Sequence, residues 1–257
     1  MLKYAFRQSS AFSVLSFLVL SLFASRNVLA GTNLRIFESQ FDIGTDRRPG
    51  SATYDRKTNT YKVSGSDENT WFTLDEFHFV WKKAFRDISI VADVALFGHT
   101  GVPDRKARLM IRQSLGPDSP YLNIARHGVG KPSLRFRDAP GAVTYTIVSY
   151  IYNSRRIELK KRCDFYYAFV SGKDGRLHPV GAWVRLRLKA LSYVSFGFCA
   201  HEKGAQPKAI FSHFESKETT ARRNRQVRST AHLQDCSEAT EPSTPRRGFR
   251  IAPRLLL

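Results

Sequence analysis

Short runs of period-2 alternation, cut apart by turn residues, are the feature that most constrains this chain. In F-H-F-V-W, Phe77, Phe79 and Trp81 share one side of an extended chain, while His78 and Val80 share the other. A polar turn with Gly65, Ser66, Asp67 and Asn69 separates this run from Thr60-Tyr61-Lys62-Val63. The same period recurs in 87–97, where Ile88, Ile90, Ala92, Val94 and Leu96 line up, and in 106–115, where Ala107, Leu109 and Ile111 oppose Arg108, Met110 and Arg112. No segment sustains helical spacing. Short alternating strands with turn signals about every 8 to 12 residues predict an antiparallel sandwich or barrel.

Further strands are expected at 51–54, 60–64, 121–127, 134–137, 142–152, 193–201 and 208–214, with a hairpin of 156–162 and 165–171 folded at Cys163-Asp164. In 183–188, Val184, Leu186 and Leu188 point inward against Arg185 and Arg187. Two sheets packed face to face would bury the aliphatic faces and leave the Arg/Lys faces in water. Phe77, Phe79 and Trp81 are expected in that core.

The ends read differently. Lys3 and Arg7 precede an apolar run at 11–24, followed by Val28-Leu29-Ala30, the order of a secretory signal peptide cleaved after Ala30. The run falls short of the roughly 20 apolar residues that span a bilayer, and no later stretch is apolar enough, so an exported, periplasmic or extracellular protein is expected. The expected domains are a signal peptide at 1–30, one β-sandwich at 31–216 and a disordered basic tail at 217–257. Of the net charge of +19, the leader carries +3 and the tail +5, which leaves +11 on the sandwich. Such a field attracts polyanions, an acidic glycan or envelope polyanion among them, but a solvated basic surface is the plainer reading. No stripe of arginines and aromatics matches a nucleic-acid module, and export also argues against that partner.

Cys163, Cys199 and Cys236 make no framework, since one must be left over. Cys199, in an apolar run, is expected to behave as a buried hydrophobe; Cys163, at a turn, is expected to be the accessible thiol.

Four segments, W-F-T-L-D-E-F-H-F-V-W-K-K, L-M-I-R-Q-S-L-G-P-D-S-P-Y, R-I-E-L-K-K-R-C-D-F-Y-Y and Y-V-S-F-G-F-C-A-H, resemble exported bacterial modules with the concanavalin A-like lectin/glucanase (laminin G-like) jelly roll. The resemblance spans about 41–214 and implies two curved antiparallel sheets, an all-β jelly-roll sandwich. Some relatives carry this module in front of a TolB-like β-propeller, which the short tail has no room for. The tail's composition is what a premature or shifted reading frame would yield. Relatives often have glycine where this chain has Arg86, Arg108, Cys163 and Ser195, which implies strained or rebuilt positions there.

The fold hosts glycosidases and binding modules alike, so chemistry has to come from residues. Glycosidases need two carboxylates flanking the scissile bond, and enzymes of this fold set them along one strand as E-x-D-x-x-E or E-x-D-x-E. No such string occurs: Asp75 and Glu76 are adjacent and Glu158 stands among basic residues. A non-catalytic role is expected, with no catalytic residue. Asp67, Glu68 and Asn69 offer oxygens for calcium, with Asp104 and Asp118 in other loops, but calcium takes six to eight oxygens, and no metal or other cofactor is assigned. Trp71, Trp81, Tyr121 and Trp183 could stack on sugar rings. The candidate ligand residues are Asn69, Trp71, Arg112, Gln113, Tyr121, Asn123 and His201, with Trp71 beside a polar turn and Trp81 given to the core. His78 is expected to be hydrogen-bonded structure. The leading expectation is a module that binds carbohydrate or another envelope ligand; the alternatives are a structural or protein-interaction module, then a glycoside hydrolase or lyase.

Overall fold

The computed structural model describes residues 33–44, 49–65, 70–97, 102–201 and 207–219, all within the unit Thr32–Leu257. Among them there is no helix; the elements are strands. In chain order these are β1 (Ser39–Ile43), β2 (Ser51–Asp55), β3 (Thr60–Ser64), β4 (Thr70–Trp71), β5 (Leu74–Asp75), β6 (Phe77–Ala84), β7 (Ile88–Phe97), β8 (Lys106–Arg112) and β9 (Tyr121–His127). They continue as β10 (Pro132–Arg137), β11 (Tyr145–Val148), β12 (Arg156–Arg162), β13 (Phe165–Ser171), β14 (Leu177–Pro179), β15 (Val184–Arg185), β16 (Ser192–Cys199) and β17 (Lys208–Glu218).

All pairings are antiparallel. The first sheet has the order β1-β6-β16-β8-β9-β10-β11; the second runs β14-β13-β12-β7-β17-β3-β2, with β15 also on β13, and β4 and β5 form a small hairpin. This is an antiparallel two-sheet jelly-roll sandwich, as the resemblance implies. Several predicted strands have the observed bounds, among them β3, β9 and the β12–β13 hairpin. The run expected at 142–152 supplies only the short edge strand β11, and β17 continues through Lys217, where the pattern ends in sequence, to Glu218, which pairs with Ile88.

Alternation decides which side chains fill the sandwich. From the first sheet come Val80, Leu109, Ile111, Leu122, Ile124, Leu134, Val194, Phe196 and Phe198; from the second come Ile88, Ile90, Val94, Ile157, Leu159, Tyr166, Val170, Tyr61 and Phe211. Phe196 stacks on Phe211 at 4.3 Å between ring centres, tying the sheets together. His78, on the inner side of β6, holds Asp42 Oδ1 at 2.6 Å and Gln40 Oε1 at 3.0 Å, the structural role expected of it. Gly50 packs so close that a Cβ there would lie 2.4 Å from the His78 ring.

Two expectations fail here. Phe77 and Phe79 are fully buried, but in a second cluster with Ile43, Met110, Tyr121 and Cys199, on the face of the first sheet turned away from the sandwich core; Trp81 packs on it only partly buried. And Cys163 is disulfide-bonded, not an accessible thiol. It takes φ +51 in the two-residue turn between β12 and β13, so the implied strain is real at that position.

Candidate functional site

The outer face of the first sheet can be read off its register. Across β10, β9, β8 and β16, one row is Arg137, Tyr121, Arg112 and Tyr193; the next is Arg135, Asn123, Met110 and Ser195. Below them lie Ser133, Ala125, Arg108 and Gly197, and then His127, Lys106 and Cys199. Strand β6 closes the face with Phe77 and Phe79. The Arg/Lys face expected to be wet is therefore buried: Lys106, Arg108, Arg112, Arg135 and Arg137 are each at most 7 % exposed.

Sequence spacing missed this because alternation says which residues share a face, not whether something covers it. The β4–β5 hairpin brings Asp75 onto the face with no exposure at all. Arg137 grips it with both forks, Nη2 to Oδ1 at 2.9 Å and Nη1 to Oδ2 at 3.1 Å. The rest of that guanidinium donates to the carbonyls of Phe72, Pro117, Ser119 and Ala142. Arg112 reaches Asp75 Oδ2 at 3.4 Å and donates Nε to the Ser114 carbonyl at 2.7 Å, while its Nη1 has no partner. Burial pulls the Asp75 carboxyl upward against the downward pull of Arg112 and Arg137.

Farther down β8 the balance changes. Arg108 is fully buried with its guanidinium carbon 4.8 Å from the Phe77 ring centre, and Nη2 donates to Cys199 Sγ at 2.8 Å. Its Nε and Nη1 have no partner. The side chain fits because Gly197 stands opposite: a Cβ there would lie 2.9 Å from Arg108 Cγ and 3.0 Å from Phe77 Cδ2. Thus Cys199 is buried as expected, yet it serves as an acceptor for a guanidinium. Burial, with Arg135 and Arg108 adding repulsion, brings the Lys106 ammonium down to about 7. Burial, then Arg135, Lys106 and Arg108, bring His127 down to about 2; its Nε2 meets Ser133 Oγ at 2.9 Å.

Of the candidate ligand residues, the structure brings three together on this face: Arg112, Tyr121 and Asn123. Tyr121 is fully buried and paired with Thr144 Oγ1 at 3.0 Å; Asn123 is 1 % exposed and neither its Oδ1 nor its Nδ2 has a partner. Gln113 is spent on backbone instead, donating to the Leu191 carbonyl at 2.8 Å and accepting from the Lys189 amide. His201 is half-buried with φ +62, and burial followed by Lys106 lowers it to about 4. Trp71 lies in β4; Asn69, with Asp67 and Glu68 of the calcium alternative, lies outside the described residues. Among the described residues no group of three or more His, Cys, Asp or Glu could hold a metal. No described helix is long and apolar enough to cross a membrane.

The residues missed are Lys106, Arg108, Arg135, Arg137 and Phe72. The R-F-R alternation of β10 put Arg135 and Arg137 on one face, a usable signal. Phe72, by contrast, gave none: it is 60 % exposed at the rim with φ +54, its carbonyl held by Arg137 and by the Thr144 hydroxyl at 3.0 Å.

No protein-family model and no curated protein matches the chain. Among solved structures it is similar to a functionally unknown protein from Saccharomyces cerevisiae, at 13% identity and TM-score 0.53, over 71% of this chain and 97% of that one. It is also similar to the carbohydrate-binding module CBM66 from Bacillus subtilis (11% identity, TM-score 0.46, 72% and 98% covered). A third is basic winged bean lectin with Tn-antigen (8% identity, TM-score 0.43, 71% and 98% covered). The first of these likenesses is one of fold, at a sequence identity too low to carry a role.

Proposed function

We propose that the chain is an exported, non-catalytic β-sandwich module that binds carbohydrate on the outer face of its first sheet. The observation that carries this reading is Asn123, a carboxamide in the middle of that face, 1 % exposed, with donor and acceptor both unpartnered. An unsatisfied buried polar group costs about 1–3 kcal/mol, and a donor beside an acceptor is what a sugar hydroxyl complements. At the rim, the exposed Phe72 ring offers a stacking surface, and Trp71 stands next to it in the chain. Export rests on the charged, apolar and small-residue order of 1–30, and a periplasmic or extracellular location follows from it. The non-catalytic reading is supported by where the carboxylates go. Both Asp75 oxygens face guanidiniums, and Glu158, on the second sheet, is held by Ser89 and Lys160.

A second reading has its own observation. Beside the edge strand β11, Tyr150 is 85 % exposed, Tyr152 54 % and Val148 40 %, which favours a structural or protein-interaction module, the remnant of a TolB-like propeller protein in one version. A glycan array probed with the full chain separates the two. Binding that falls at least tenfold with Asn123→Ala, and less with Phe72→Ala or Trp71→Ala, supports the carbohydrate reading. Silence across neutral and acidic glycans sinks it in favour of the interaction module.

A further inference from the structure

We propose that Arg108, Arg112 and Asn123 form a receptor for one anionic group, a carboxylate or sulfate borne by an acidic sugar. The sugar half of this assignment rests on the carbohydrate reading above; the anion half does not.

Both guanidiniums lie against one aromatic ring. Arg108 and Arg112 alternate with Met110 on β8, and their guanidinium carbons lie 4.8 and 5.4 Å from the same Phe77 ring centre. Asn123 faces Met110 from β9, between them. Arg108 Nε and Nη1, Arg112 Nη1 and both polar atoms of Asn123 are buried and unpartnered.

Charge then decides the class of ligand. Asp75 is the one buried carboxylate among the described residues of this face, and Arg137 holds both of its oxygens with Arg112 behind. Arg108 feels the Asp75 charge through space, less than Arg112 and Arg137 do, and its direct contacts are a thiol and an aromatic ring. Ring contact and a sulfur acceptor soften the cost of a buried cation, but one with no carboxylate bonded to it is still penalised by desolvation. A neutral hydroxyl would satisfy hydrogen bonds and leave the charge standing. A carboxylate or sulfate satisfies both, accepting from more than one N–H at once. The excess of +11 on residues 31–216 would draw an acidic polymer toward the domain.

Titration calorimetry on the full chain tests this with three probes: a galacturonate disaccharide, the neutral galactose disaccharide and inorganic sulfate. The expected result is uronate binding that weakens with salt and falls at least tenfold in Arg108→Met, whose side chain still fills the space opposite Gly197. Unchanged uronate binding by Arg108→Met overturns the proposal. Neutral sugar bound by both proteins with no uronate preference removes the anion and keeps the carbohydrate reading. Sulfate binding that raises the melting temperature of the parent but not of Arg108→Met, with no sugar bound, keeps the anion receptor and removes the carbohydrate reading. No binding of any probe removes both. If Arg108→Met loses its near-ultraviolet circular dichroism, Asn123→Ala takes its place, and an uronate affinity reduced less than twofold overturns the assignment.

Discussion

Arg137 and Arg108 occupy the same face of the same sheet, both without solvent exposure, and the contrast between them separates scaffold from site. Arg137 meets a bidentate carboxylate and four backbone carbonyls, drawing the β4–β5 hairpin and the loops around 117–119 and 142 onto the sheet. Nothing is left for a ligand to bind. Arg108 makes one bond, to a thiol, and keeps two nitrogens unused. Burial alone therefore says little about what a buried cation is for; the count of its satisfied donors says more.

The largest effect should come from breaking the satisfied end. Asp75→Ala leaves Arg137 and Arg112 buried without their shared counter-charge, and removing one partner of a buried pair costs about 3–5 kcal/mol. Urea unfolding of the full chain measures it. By the same reasoning Arg108→Met removes a cation that lacks a carboxylate partner, so it should be neutral or stabilising by up to about 4 kcal/mol. A loss in Arg108→Met as large as that in Asp75→Ala would erase the distinction between the two ends.

A smaller effect probes how Arg108 was accommodated. Gly197→Ala places a Cβ 2.9 Å from Arg108 Cγ and 3.0 Å from Phe77 Cδ2, an overpacking that costs about 1–3 kcal/mol. In an Arg108→Ala background only the Phe77 contact remains, so the cost should shrink. The difference is a coupling energy of about 1 kcal/mol, within the range for touching residues. Additive losses across the four proteins would mean that Arg108 yields freely and Gly197 is not what makes room for it.

How legible this was follows from what alternation encodes. The strands and the aliphatic interior were readable because period 2 and turn residues act locally: Leu109 and Ile111 had to oppose Arg108 and Arg112 whatever the topology. The burial of the basic side was not readable. At Arg137 and Arg112 it involves a hairpin, β4–β5, that brings Asp75 against Arg137 across 62 residues of chain. Phe77 and Phe79 show the same limit, since an aromatic face next to an aliphatic one gives no sign of which becomes the interior. Arg112, Tyr121 and Asn123 share a face because the register pairs Arg112 with Tyr121 and sets Asn123 two residues along the same strand. Gln113 was a poor candidate for that same reason: it follows Arg112 directly, and its amide is bound to the backbone at Leu191 and Lys189.

The last effect concerns acid, and it belongs to the Arg108 end. His127 sits in the row with Lys106 and Cys199, where burial and the charges of Arg135, Lys106, Arg108 and His201 hold it at about 2, below its ordinary 6.5. Asp104 approaches its Nδ1 only at 3.7 Å from an exposed position. As pH falls through 6.5 the unfolded chain gains a proton on this imidazole and the folded chain does not. Unfolding is then favoured by up to about 1.4 kcal/mol per pH unit for one proton. His201, lowered to about 4, acts in the same direction over the upper part of that window. Glutamine in place of His127 can still meet Ser133 and does not titrate, so urea midpoints of His127→Gln should fall less between pH 7 and pH 5 than those of the parent. Equal slopes would mean that His127 takes up its proton as readily in the folded chain as in the unfolded one, and that neither burial nor the charges at the Arg108 end act on it.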